Sequence, residues 1–215
     1  MSVNAKKRGG ILQAQANALT KEITDNELSE LLAHVKMDKA AGPDTFPGEI
    51  FRYFSNKSAA FVLIKAIFNN CLRTGQTPEQ WKEGNIWLIF KSGDDKNIAN
   101  YRPITLANVL YKLFMTLITQ RTMYLLEKHK ILTNAQGGFR TYRGCREKLQ
   151  LALAIRKHAK QNKRTLYCIF FDIAKAYDSV SHQALWRTFE AMRLPIQFIN
   201  LIKSIYSNNQ VRVLT

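Results

Sequence analysis

From Thr24 onward the chain alternates apolar stripes with turn-rich breaks. Thr24-Asp25-Asn26-Glu27 has the form of a capping box. Leu28, Leu31, Leu32 and Val35 follow at helical spacing, which predicts a helix ending near Lys36. Lys39 to Asp44 (KAAGPD) is turn-rich, and Pro47 is placed to open a short second helix. Ser58 to Arg73 carries Phe61, Leu63, Ile64, Ile67, Phe68 and Leu72, a strongly apolar helix stopped by Gly75 and Pro78. Asn85 to Lys91 (NIWLIFK) is apolar on both faces and predicts a buried strand. Ser92 to Asp95 has turn chemistry. A long helix is predicted from about Leu106 to Lys128, on Leu110, Leu113, Phe114, Leu117 and Ile118. After the Gly-bearing loop Gln136–Arg140, another helix runs from about Arg146 to Gln161. Leu166 to Ile173 (LYCIFFDI) predicts a second buried strand. Helices at Ser181–Met192 and Pro195–Tyr206 and a strand over Gln210–Leu214 complete an α+β pattern in which helices predominate. The first 20 residues lack strong periodicity and are expected to be a flexible or partly helical lead-in.

Composition narrows the class. The chain has 215 residues, 46% of them apolar, enough for one ordinary domain or one and a half with a sizeable core. No apolar run reaches the 18 or so residues of a membrane span, because Lys112 interrupts the best one, LANVLYKLFMTLI. The basic start MSVNAKKRGG precedes an apolar stretch broken by Gln and Asn, unlike a signal peptide. Cys71, Cys145 and Cys168 lie far apart, which argues against a disulfide framework and a zinc ribbon. The expectation is a soluble intracellular protein with no membrane partner, nucleus and cytoplasm not being distinguished.

Charge changes the picture further. There are 32 Lys and Arg against 16 Asp and Glu, net +16, which favours a polyanionic partner. Residues 21–50 hold three basic and seven acidic side chains, whereas residues 101–215 hold 19 basic and five acidic. From Arg140 to Arg164, nine basic residues face Glu147 alone. Such a cluster reads either as a solvated helix face or as a track for a phosphate backbone.

Asp172 is the first candidate for chemistry. It follows Tyr167-Cys168-Ile169-Phe170-Phe171, and a carboxylate at the lip of an apolar strand is costly unless hydrogen-bonded, paired or bound to metal. The structural alternative is a strand-ending Asp that caps a turn. Asp178 and Ser179 look like caps for the next helix. Gly93-Asp94-Asp95 spells a tripeptide of viral RNA polymerases, but it stands before Asp172 and reads as a solvated hairpin turn. Tyr53, Trp81, Trp87, Phe170 and Phe171 could stack bases, although aromatics in apolar segments are more often core.

The segment FDIAKAYDSV resembles the first catalytic-aspartate motif of reverse transcriptases of the non-LTR retrotransposon type. KAAGPDTFP, IWLIFKSGD, NYRPITL and QGGFR occur in that family's order, and together they span nearly the whole chain. The resemblance implies the fingers and first part of the palm of a right-hand polymerase, helix-rich and with an incomplete palm sheet. Residues 1–20 would be lead-in, 21–164 a fingers-like region and 165–215 the start of the palm.

It also implies roles. Asp172 matches the aspartate that binds two divalent cations, Mg2+ or Mn2+, with the Ile173 carbonyl a further ligand. The amides of Lys175 and Ala176 would face a triphosphate, and Tyr177 matches an aromatic gate that excludes a 2′-hydroxyl. Lys91 and Arg102 match residues that clamp incoming phosphates. Gln136, Gly138, Phe139 and Arg140 match a template cradle, with Arg143 beside it, which favours the phosphate-track reading of the basic stretch. The implied partners are an RNA template, a DNA primer and deoxynucleoside triphosphates; nothing in the sequence fixes an oligomeric state.

The family's two-aspartate hairpin and thumb find no match here, and no aspartate follows Asp178. One carboxylate cannot hold two dications beside a triphosphate. The expectation is therefore a C-terminally truncated polymerase, inactive alone, whose cofactor would be needed only in a complete enzyme. The alternative is a non-catalytic nucleic-acid-binding module derived from a retrotransposon.

Overall fold

The computed structural model describes residues 16–140 and 143–214. Among them are six α-helices and one three-stranded sheet, and a single apolar core lies among the helices. Helix α1 (Asp25–Ala33) starts as its sequence requires: Thr24 Oγ1 accepts the Glu27 N–H at 3.2 Å. The Glu27 side chain does not return to complete the box. It pairs instead with Arg121, Nε to Oε1 and Nη2 to Oε2, each at 2.7 Å. Residues 1–15 of the expected lead-in lie outside the described residues. The remainder is packed, with Ala16 and Leu19 buried.

Helix α2 (Ala59–Thr74) begins on Ser58, whose Oγ accepts the Phe61 N–H, and stops at Gly75 in the left-handed region at φ 68°. Its buried stripe is Phe61, Ile64, Phe68, Cys71 and Leu72. Helix α3 (Val109–Lys128) offers Phe114 to this stripe, with ring centroids of Phe68 and Phe114 5.1 Å apart and Trp81 completing the cluster. Helices α4 (Cys145–Gln161) and α5 (His182–Ala191) follow, then α6 (Ile196–Tyr206), which buries Phe198, Ile199, Leu201, Ile202 and Ile205 against α2. The cap of α5 is Ser181, whose Oγ accepts the Ala184 N–H, not Asp178 or Ser179.

The sheet has the order β2-β1-β3. Strand β1 (Glu83–Phe90) pairs antiparallel with β2 (Tyr101–Ala107), from Gly84 opposite Ala107 to Phe90 opposite Tyr101. Strand β3 (Gln210–Leu214) runs parallel to β1 and covers only its first half, Glu83 to Trp87. Pro103 sits in the edge strand β2, where a missing N–H is tolerated.

Two sequence expectations are corrected. Strand β1 is central but not buried: Trp87, Ile89 and Phe90 are each about half exposed, because its main packing is against β2, β3 and the turn before it and not against an α-helix. Leu166–Ile173 forms no strand. The segment is irregular and exposed, with Phe170 92% accessible: it pairs with no strand of the sheet, and apolarity alone supplies no ladder partner. Helix α4 likewise buries no residue.

Candidate nucleotide and nucleic-acid interface

The β1–β2 register decides where two of the candidate cations go. Ile89 lies opposite Arg102, and the ladder extends one step further through the Lys91 N–H to the Asn100 carbonyl at 2.9 Å. Lys91 and Ile89 are two apart on one strand, so Lys91 and Arg102 share a face as diagonal neighbours, about 7–8 Å apart by backbone geometry. Trp87 and Ile104, directly opposite each other, stand on that face too, and all are exposed. Two cations beside an apolar strip suit a ligand with a planar apolar part and a phosphate chain. The connecting turn is built internally. Gly93 takes φ 97°, Asp94 Oδ1 accepts the Lys96 N–H at 3.0 Å, and Tyr101 Oη donates to the Asp95 carbonyl at 2.9 Å. Asp94 and Asp95 thus belong to a solvent-exposed hairpin turn, as their position before Asp172 suggested.

The loop after α3 places its residues unequally. Arg140 points inward. Its Nε and Nη2 each donate to a Glu127 carboxylate oxygen at 2.6 Å, and Nη1 donates to the carbonyls of Thr133 (2.8 Å) and Gln136 (3.3 Å). This bidentate bond holds the Glu127 carboxyl below its usual range and raises the Arg140 guanidinium further. In the structure Arg140 is an internal strut, with all three of its guanidinium nitrogens bonded within the protein. Gln136, Gly138 and Phe139 remain exposed, and a Cβ built at Gly138 would meet nothing. Arg143 and Lys148 both donate to the Asn134 carbonyl, at 3.3 and 2.9 Å, and so tie the start of α4 to the same loop.

Phe139, at φ 59° and 83% exposed, meets Tyr177 edge-on, with ring centroids 6.4 Å apart. This joins the loop to the turn after Asp172. That turn is closed by the Ser179 N–H on the Lys175 carbonyl at 2.9 Å, and Lys175 adopts φ 49°. Tyr177 is itself exposed. Asp172 and Ile173 lie in the irregular segment, open to solvent.

The donor set near Asp172 does not fit a pair of divalent cations. Each ion needs about six oxygen ligands, and no group of three or more His, Cys, Asp or Glu gathers among the described residues. The structure brings together Lys91 with Arg102, and Phe139 with Tyr177. Sequence reasoning missed Glu127, thirteen residues before its partner Arg140 and marked by no motif. It also missed the role of Asp44, read as part of a turn and of the KAAGPDTFP segment, which caps α3 through the Val109 N–H.

A family model described as "Reverse transcriptase (RNA-dependent DNA polymerase)" matches residues 90–214. The chain is 30% identical over 193 residues to the RNA-directed DNA polymerase from mobile element jockey of Drosophila melanogaster, covering 89% of this chain and 21% of that protein. It is 27% identical over 202 residues to the Pol polyprotein from type-1 retrotransposable element R2 of Nasonia vitripennis, covering 94% and 18%. A probable RNA-directed DNA polymerase from transposon X-element of Drosophila melanogaster is 28% identical over 188 residues, covering 87% and 20%. The chain thus spans about a fifth of the length of these relatives.

Proposed function

The chain belongs to the reverse transcriptase family, of the non-LTR retrotransposon type, and from that premise we propose that it supplies the fingers and first palm segment of an RNA-copying DNA polymerase. The observation that carries this reading is the β1–β2 register, which sets Lys91 and Arg102 on one exposed face. There Arg102 offers a flat fork and Lys91 a point charge to a triphosphate. Tyr177, supported by Phe139, is the candidate for the ring under the sugar, and the turn at Lys175 and Ala176 offers backbone amides. Gln136, Gly138, Phe139 and Arg143 form the proposed template side. In this reading residues 21–164 are fingers and 165–215 begin the palm. Mg2+ or Mn2+ is the cofactor the family implies, with Asp172 and the Ile173 carbonyl as this chain's contribution to holding it. These 215 residues alone supply one such carboxylate, so alone they do not polymerise.

A second reading, nucleic-acid binding without chemistry, draws support from α4 and the segment after it, where Arg156, Lys157, Lys160, Lys163 and Arg164 are all exposed. One experiment separates them. The 215-residue chain is given an RNA template annealed to a DNA primer, deoxynucleoside triphosphates and Mg2+. The expected result is duplex binding and triphosphate binding weakened by Lys91→Ala and Arg102→Ala, without extension. Extension abolished by Asp172→Ala overturns the statement that these residues alone are inactive. RNA binding with no triphosphate binding favours the second reading over the first.

A further inference from the structure

The β1–β2 pair is held only at one end. Strand β3 covers β1 from Glu83 to Trp87, and beyond that point residues 88–103 form a two-stranded arm with exposed faces. A two-stranded ribbon has little stability of its own, so the direction of the arm is set by its base. That base is where β2 ends at Ala107 and α3 begins at Val109.

The loop Gly42-Pro43-Asp44 is seated on this junction. A Cβ built at Gly42 would stand 2.3 Å from the Ala107 carbonyl oxygen and 2.8 Å from the Asn108 nitrogen. Only glycine permits so close an approach of two backbones. Asp44 Oδ2 accepts the Val109 N–H at 2.7 Å, and the Asp44 N–H donates to Asn108 Oδ1 at 3.1 Å. Asn108 Nδ2 in turn donates to the Gln80 carbonyl, just before β1. Asn108 does not cap α3 with its own side chain, so Asp44 brings the negative charge to that helix N-terminus from 65 residues away. Asp44 Oδ1 is buried too, with no hydrogen-bond partner of its own.

We propose that the Gly42-Pro43-Asp44 loop is the foot of the β1–β2 arm, and that Asp44 is a positioning residue for the phosphate-gripping face carrying Lys91 and Arg102. It acts through Val109 and Asn108, without touching the ligand. The second half of the proposal rests on the triphosphate reading given above; the first half does not. The lever is long. Arg102 lies five residues from Ala107, about 17 Å along the strand, so a tilt of about 10° at the foot moves the tip by about 3 Å. A shift of that size breaks a bidentate phosphate contact.

The test uses the full 215-residue chain with Asp44→Ala, Asp44→Asn and Lys91→Ala. Amide hydrogen exchange is followed in residues 86–104 and, as an internal reference, in α2. Binding of dATP with Mg2+ and of a single-stranded RNA is measured alongside. Asp44→Ala is expected to speed exchange in the arm by about fivefold or more while α2 exchanges as before, and to weaken dATP by a similar factor with RNA affinity kept. Asn accepts the same N–H, so Asp44→Asn is expected to stay near the parent in both. Unchanged exchange in the arm after Asp44→Ala overturns the foot. An equal rise in α2 overturns it too, since the residue then serves the whole fold. If Lys91→Ala leaves dATP binding intact, the triphosphate reading fails by itself and the exchange result still decides the foot. If Lys91→Ala weakens dATP and Asp44→Ala does not, the positioning role is overturned.

Discussion

Arg140 and Glu127 bind each other twice, Nε to Oε1 and Nη2 to Oε2, both at 2.6 Å, across thirteen residues of chain. With Nη1 donating to the Thr133 and Gln136 carbonyls, the guanidinium closes the loop that carries the exposed Phe139. The pair makes the loop sensitive to acid. Because Glu127 has a lowered carboxyl pKa when folded, its contribution is present above the unfolded value of about 4.3 and is lost as pH falls through the folded value. Exchange protection of residues 131–140 is expected to hold from neutrality to about pH 5 and to drop below about pH 4. In Glu127→Gln the loop is expected to be loose at neutral pH, with this acid step gone. An acid step surviving in Glu127→Gln would show that another group controls the loop.

Gly75 closes α2 at φ 68°, with the Gln197 carbonyl oxygen 3.3 Å from where a Cβ would stand. Gly75→Ala is expected to cost about 1 kcal/mol, or about 2–4 °C in Tm, and Gly75→Asn less, since Asn tolerates the left-handed region. Thermal unfolding followed by circular dichroism gives the comparison. Equal Tm values for Ala and the parent protein would mean that the helix end relaxes to another conformation.

Phe114 is fully buried and shares ring contacts with Phe68 and Trp81. Phe114→Ala removes the centre of that cluster and is expected to cost about 3–5 kcal/mol in urea unfolding. A loss under about 1 kcal/mol would indicate that α2 and α3 collapse into the space.

The helices were legible because their stripes and caps are local. Ser58, Gly75 and the Phe61-to-Leu72 stripe of α2 carry their own signals within one element. Burial of β1 was not legible, because apolar character on both faces says nothing about whether a layer exists to cover them. Leu166–Ile173 failed for a related reason: a strand is a relation between two segments, and this one pairs with none of the three strands, although β2 and β3 each keep an outer edge open. At the candidate site, the pairing of Lys91 with Arg102 follows from a register that neither motif contains. Arg140 shows the converse. Its motif suggested an external partner, but a glutamate on the preceding helix captures it first.

Exposed Phe170 and Phe171, next to Ile169 and Ile173, form an apolar run without a cover among the described residues. Such a run invites association through edges and patches. Phe170→Ser with Phe171→Ser is expected to leave Tm within about 1 °C of the parent, because little packing is lost, while lowering self-association in sedimentation. A large fall in Tm would mean the two rings are buried in solution.

Five exposed cations, Arg156, Lys157, Lys160, Lys163 and Arg164, lie within nine residues at the end of α4 and just past it. If they track a phosphate backbone, each contact with single-stranded RNA contributes about 0.7 to the slope of log affinity against log salt concentration. Replacing Lys157, Lys160 and Lys163 by Ala is then expected to lower the slope by about 2 and to weaken binding alike for unrelated sequences. Fluorescence anisotropy at several salt concentrations measures both quantities. A solvated helix face, the other reading of the same charge run, predicts that the slope stays where it was; an unchanged slope would therefore move the template path away from α4.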